Sequence, residues 1–217
     1  MTSIKGYADL LRQGAVGPVN DMQSNFLNVI RNNVERMSVL VSDLSDISRI
    51  ESGRLVLNLG MVSITDCVQE TANTLRPRLD ECGQTLEMDV PAALSKVYAD
   101  RARVVQVLNN LLSNAQKYTL EKGKISVRAT PEAGFIRVEV ADTGIGIAPE
   151  DQANLFTQFF RSEDPQVREQ QGWGLSLSVT QRLVGLMGGQ IGFQSVLKAG
   201  STFWFTLPTL APDTLKE

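Results

Sequence analysis

Four short segments in the second half of this 217-residue chain carry residue types that can hold a charged, planar ligand. The first is Asn110-Leu111-Leu112-Ser113-Asn114-Ala115-Gln116-Lys117-Tyr118. On a helix, Asn110 and Asn114 lie four apart on one face, with Lys117 three further on. Two amides and an ammonium suit a metal ion and a polyphosphate, but a solvated helix face offers the same pattern. The second segment, Asp142-Thr143-Gly144-Ile145-Gly146-Ile147, follows a strand-like run. Its glycines let the backbone approach a flat ligand closely. The Asp142 carboxylate can accept from an exocyclic amine such as that of adenine. A tight strand-to-helix turn needs the same glycines. The third comprises Phe156, Phe159, Phe160 and Arg161, then a polar stretch from Ser162 to Gln171 that carries Arg168. The aromatics read as core, and the stretch after them as a lid over a charged ligand. The fourth, Gly172-Trp173-Gly174-Leu175-Ser176-Leu177, opens a helix whose first amides can bind an anion. A plain flexible loop is the other reading.

These segments need elements to position them. Asp100 can cap a helix carrying Val104, Leu108, Leu111, Leu112 and Ala115, which presents the first segment. The runs 124–130 and 135–141 form a hairpin ending at Asp142, and a short helix is expected over 150–158. A helix over 174–187 and strands at 190–196 and 202–207 complete the set. Further upstream, Leu55, Leu57 and Leu59 alternate as a strand should. Ser63 opens a helix running towards Cys82-Gly83, and strands follow at 85–90 and 96–99. The first fifty residues differ in kind. Ile4, Tyr7, Ala8 and Leu11 recur at helical spacing before the break at Gly14–Pro18. After Asn20, a possible N-cap, Phe26, Ile30, Asn33, Met37, Leu40, Leu44 and Ile47 form a coiled-coil seam, widened by Leu27, Val34 and Val41. A stripe that wide exceeds what one partner helix covers, which points to a second copy of the hairpin; packing of this helix on the following domain of the same chain is the other reading. The fold class is therefore α+β, with a helical hairpin forming half of a dimeric four-helix bundle, followed by an α/β sandwich.

Composition narrows the chemistry. The chain contains no histidine, so neither a Ser–His nor a Cys–His nucleophile pair exists within it. Its only cysteines, Cys67 and Cys82, lack zinc-site spacing and read as reduced thiols of a cytoplasmic protein. A net charge of −3 leaves no footprint for nucleic acid. No apolar run is long enough to span a bilayer, so membrane attachment is expected only through an anchor in a longer parent.

In order and spacing, the four segments resemble the N box, first glycine box, F box and second glycine box of sensor histidine kinases, which share the GHKL ATP-binding fold. Leu186-Met187-Gly188-Gly189 and the ending from Gly200 to Pro208 extend the resemblance, and Thr2 to Tyr7 is similar to the stretch after the phosphoacceptor histidine. The resemblance implies ATP and magnesium as cofactors. It implies that Asn114 coordinates magnesium, with Asn110 in support and Lys117 near the phosphates. Tyr118 would line the pocket, and Asp142 would read the adenine amine. Gly144, Gly146 and Ile147 would shape the base site. Arg161, and more weakly Arg168, would meet phosphates from the lid. Gly172 and Gly174 would let that lid wrap, while Phe159, Leu175 and Thr202 complete the nucleotide contacts.

The implied organisation is a dimerisation hairpin over 1–53, cut after the phosphoacceptor site, an ATP-binding catalytic domain over 54–210, and a frayed tail over 211–217. The implied partners are a second copy and a response-regulator receiver domain. The acceptor histidine is expected outside the chain, so self-phosphorylation of these residues alone is not expected. Two departures stand out: Trp173 replaces a small hydroxyl residue, and Ser176 replaces a glycine. Water-using ATPases of the same fold place a glutamate base where Asn110 stands. An amide cannot take that role, so hydrolysis is disfavoured. A degenerate nucleotide-binding module, whose occupancy only sets the hairpin's conformation, would carry the same boxes.

Overall fold

The computed structural model describes residues 2–170 and 172–210, so the expected tail lies outside the described residues. Two compact units divide the chain, Met1–Leu55 and Val56–Glu217.

The first unit is a pair of helices, α1 (Thr2–Arg12) and α2 (Asp21–Glu51). Asn20 starts α2 with a reciprocal cap, its side chain accepting from the Gln23 N–H while the Gln23 side chain accepts from its own. Leu27 and Val34 are buried, and Lys5 of α1 meets Glu35 of α2 at 2.8 Å. The coiled-coil seam itself stays open: Phe26, Ile30, Met37 and Leu44 are all exposed, whereas Ile47 is buried. The residues that widen the stripe divide, Leu27 and Val34 going under cover and Val41 remaining exposed. An eleven-residue α1 cannot cover a thirty-one-residue α2.

The second unit is a two-layer α/β sandwich. Its large sheet runs β2 (Thr85–Asp89), β4 (Lys124–Glu132), β5 (Phe135–Asp142), β7 (Gly200–Pro208), β6 (Ile191–Val196). The β2–β4 pair is parallel and the others antiparallel. Two-residue alternation sends Ile125, Val127, Ile136, Val138, Val140, Phe205 and Leu207 into the core. On the opposite face, Arg137 lies 4.1 Å over the Trp204 ring and pairs with Glu139. Helices α3 (Ile64–Glu81), α4 (Arg101–Tyr118) and α7 (Ser176–Leu186) form the second layer. Buried Val104, Val107, Leu108, Leu111, Leu112 and Ala115 show why α4 lies along the sheet. Ser63 caps α3 by accepting from the Asp66 N–H, and Asp100 caps α4 by accepting from the N–H groups of Ala102 and Arg103.

Three elements differ from the sequence reading. The strand expected from Leu55 begins only at Leu59, as β1 (Leu59–Val62), paired with β3 (Val97–Asp100). Its partner turns into α4 at Asp100, whose carboxylate accepts the Asn58 N–H at 2.8 Å and ends the ladder. The helix expected over 150–158 is one turn, α5 (Pro149–Gln152), because its hydrogen bonds then tighten to three-residue spacing. The polar stretch holds a short helix, α6 (Pro165–Glu169), capped by Asp164. Among the described residues, no helix is long and apolar enough to cross a membrane.

Candidate functional site

The C-terminal ends of α4 and β5 meet at one cleft of the second unit. Its walls combine apolar side chains such as Ile145, Ile147, Leu155 and Phe203 with a few convergent polar groups, as ligand clefts do. Asn114, Lys117 and Tyr118 reach it from the last two turns of α4. Asp142, Gly146 and Ile147 reach it from β5 and the loop beyond, and Arg161, Gly172 and Gly174 from the lid side.

Local bonding fixes this meeting. The Ile145 N–H donates to the Tyr118 carbonyl at 3.1 Å, tying the glycine loop to the end of α4. Gly146 has φ +67°, and a Cβ there would strike the Val196 carbonyl. Gly174 has φ +70°, with the Phe160 carbonyl where its Cβ would stand. Both positions therefore require glycine. Asp142 Oδ1 accepts the Gly144 N–H at 2.8 Å. Burial pushes the Asp142 carboxyl above its ordinary range, partly offset by the backbone N–H groups of Gly144 and Ser201. Burial also raises the Tyr118 phenol, with the Arg161 charge acting against it.

Six of the residues read from the sequence as nucleotide contacts, Arg168 among them, do not line the cleft. Asn110 lies one turn before Asn114, and its Nδ2 donates to Thr180 Oγ1 at 3.0 Å and the Ser176 carbonyl at 3.4 Å. It ties α4 to the start of α7 and is not on an open face with Asn114. Phe159 is exposed, with φ +63°, and its neighbour Phe160 faces the cleft in its place. Thr202 lies on β7 between Ser201 and Phe203, and strand alternation gives the cleft those two neighbours. Leu175 is buried beneath the lid's end, and Gly144 serves through its N–H. Phe156 is half-buried, its ring 5.9 Å from that of Phe193, so none of the three aromatics read as core is fully buried.

The lid arginines are both engaged. The Arg161 guanidinium donates to the carbonyls of Val167, Gln170 and Gly172, gathering the lid's own backbone. Arg168 pairs with Glu163 at 3.0 Å on the exposed surface and lies outside the cleft. Asp151 and Ser201 line the cleft without having been assigned a contact from the sequence, and so do Trp173 and Ser176, which the sequence singled out only as departures. For Ser201 the signal was present, since strand parity about Phe203 and Phe205 assigns its face.

Fold and cleft together define a class: an ATP-binding domain of the GHKL type, following a helical hairpin in the chain. The family model described as "Histidine kinase-, DNA gyrase B-, and HSP90-like ATPase" matches residues 99–211, and "His Kinase A (phospho-acceptor) domain" matches residues 1–53. The circadian input-output histidine kinase CikA of Synechococcus elongatus is 34% identical over 96% of this chain, and DivJ of Caulobacter vibrioides is 33% identical over 97%. The chain spans 28% of the first and 35% of the second. Among solved structures, full-length ShkA in complex with AMPPNP superposes with a TM-score of 0.76 at 30% identity, over 95% of this chain and 43% of that one. The Acinetobacter baumannii histidine kinase AdeS gives 0.72 at 27%, over 97% of this chain and 95% of that one. The chain belongs to the sensor histidine kinase family, and its residues correspond to the hairpin and catalytic portion of such proteins.

Proposed function

We propose that the cleft binds ATP with magnesium and directs its γ-phosphoryl group to a histidine, from which it passes to an aspartate of a response-regulator receiver domain. The observation that carries this reading is a half-buried carboxylate, Asp142, sharing one cleft with an amide and an ammonium from α4, Asn114 and Lys117. The adenine amine donates to Asp142, while Ile145, Ile147 and Phe203 exclude water from the ring. Asn114 Oδ1 is the protein's oxygen for magnesium, and Lys117 faces the phosphates. That donor set fits magnesium, which takes few protein ligands beside phosphate oxygens and water. Among the described residues, no cluster of three or more His, Cys, Asp or Glu side chains could cage a metal by itself. When bound, magnesium would offset charge on the phosphate oxygens during transfer.

The acceptor must be an imidazole supplied from outside these residues, because none occurs among them. Arg161 can reach a phosphate only by releasing the lid carbonyls it now holds. Its reorientation is the step that would convert the lid from self-bonded to ligand-bonded. Asn110, committed to Thr180 and Ser176, neither faces the cleft nor has a basic atom, which favours transfer over hydrolysis. The hairpin is the dimer interface in this reading, with two copies forming a four-helix bundle. Titration calorimetry with magnesium–ATP and with ADP tests the nucleotide site. Asp142→Ala should lose one charged hydrogen bond, about 1.5–3 kcal/mol or roughly 10- to 150-fold in affinity for either nucleotide. Wild-type ADP affinity in a folded Asp142→Ala protein would remove the adenine assignment.

A further inference from the structure

Besides Asp142, a carboxylate from another element lines the nucleotide cleft: Asp151, half-buried on the one-turn helix α5. Its N–H donates to the Ala148 carbonyl at 3.0 Å, which starts the turn. Its carboxylate makes no hydrogen bond or ion pair with any described residue. The position is nevertheless well fixed. The neighbouring Gln152 amide nitrogen donates to the Ile147 carbonyl at 3.1 Å and to the Ser195 carbonyl at 3.2 Å. Ser195 of β6 stands opposite Ser201 of β7, and Ser201 opposite Asp142 of β5. The Ser195 and Ser201 hydroxyls meet at 2.9 Å, so the row lies on one face of the sheet. A single row therefore runs from Asp142 across two strands to the anchor of α5. At about 4.8 Å between strands, that anchor stands about 10 Å from Asp142.

The chemistry of a carboxylate narrows what Asp151 can meet. When ionised it accepts hydrogen bonds and donates none. It repels phosphate, so it serves a nucleotide only where the ligand offers neutral donors. An adenine nucleotide has such donors in two places, the exocyclic amine and the ribose hydroxyls. The amine goes to Asp142. Two acceptors sharing one amine stand only about 5 Å apart, since each lies about 2.9 Å from the nitrogen on its own N–H. Anchors about 10 Å apart exceed that spacing and suit opposite ends of one nucleoside.

We propose that Asp151 accepts a hydrogen bond from a ribose hydroxyl and makes this cleft select ribonucleotides over deoxyribonucleotides. The inference rests on the cleft being the ATP site and adds recognition of the sugar to it. Asp142 and Asp151 then hold the two ends of adenosine, while Asn114 and Lys117 serve the metal and the phosphates. A deoxy sugar would cover the Asp151 carboxylate with C–H in place of a donor, removing part of its hydration without replacing it.

Titration calorimetry with ADP, 2′-deoxy-ADP and 3′-deoxy-ADP tests this, in EDTA so that no effect can pass through a metal ion. The wild type should bind ADP about tenfold more tightly than at least one deoxy form, the low end for a charged hydrogen bond because Asp151 keeps some solvent. Asp151→Ala should bind all three with equal affinity. Asp151→Asn keeps an oxygen acceptor of the same shape and should retain a reduced preference. Each comparison is made within one protein, so a loss of stability in a variant does not imitate the effect. Equal wild-type affinity for all three nucleotides would overturn the sugar contact while leaving the ATP site standing. A preference that persists undiminished in Asp151→Ala would also overturn it. If the wild type bound no ADP at all, the ATP site and the sugar contact would fall together.

Discussion

Asp142 has two conflicting demands on its charge, and they give it a measurable pH signature. Burial favours its neutral form, whereas an adenine amine is accepted more strongly by the ionised carboxylate. Binding ADP should therefore expel a proton as pH falls into the range of the raised carboxyl. Affinity should weaken as pH drops, beginning above the range of an exposed aspartate, with a slope approaching tenfold per unit. The folding sign is opposite. The native state holds this proton more tightly than the unfolded chain, so the group's contribution to stability declines as pH rises between the unfolded and native values. Asp142→Asn keeps an oxygen for the Gly144 N–H, removes the buried charge, and should flatten the acid side of the ADP profile. Calorimetry from pH 4.5 to 8 in buffers of different ionisation heat counts the proton directly. A wild-type profile flat through the whole carboxylate range would mean that ADP does not distinguish the two charge states of Asp142. The place of Asp142 was legible only from the order of the four segments together, because an aspartate at a strand end followed by spaced glycines suits a plain strand-to-helix turn equally well. What the sequence does not show is that Arg161 binds carbonyls of its own lid, which depends on how residues 167–172 fold back.

At the scale of elements, capping chemistry was the most readable feature. Asn20, Ser63 and Asp100 each start a helix where a short polar side chain precedes an apolar stripe. The sequence is least informative where an element's length depends on its neighbours. Leu55 and Leu57 have strand periodicity but no partner, since β3 stops at Asp100. Asn110 is the sharpest case. Helical spacing alone placed it beside Asn114, yet the packing of α4 on α7 claims it as a tie. Asn110→Ala should lower the unfolding free energy by about 0.5–1.5 kcal/mol, the usual worth of a hydrogen bond, and more if Thr180 is left unmet. It should also weaken magnesium–ATP more than ADP, because Ser176 at the start of α7 lines the cleft. Urea denaturation with parallel titrations separates the two effects. Full stability combined with lost ATP binding would make Asn110 a direct ligand group after all.

The whole molecule poses the question of what covers α2. Phe26 is 62% exposed, Met37 51% and Leu44 53%, although Leu27 and Val34 between the first two are buried. Such a run of apolar side chains on one helix marks an interaction surface. A two-fold axis would set each face against its copy, turning four helices inward. Asn33 lies in the seam and for now donates to the Val29 carbonyl of its own helix at 2.9 Å. A polar residue at such a position fixes register and costs stability. Two substitutions should therefore act in opposite directions. Glutamates at Leu40 and Leu44 would be buried without partners in the bundle, so the double variant should sediment as a monomer at concentrations where the wild type is a dimer. Asn33→Leu should tighten the dimer and loosen its register. Because the second unit has its own core, neither variant should change ADP affinity, which guards against reading general unfolding as dissociation. Sedimentation velocity across a concentration series decides the matter. A double-glutamate variant that stays dimeric with unchanged dissociation would place the interface elsewhere and leave the α2 face to another partner.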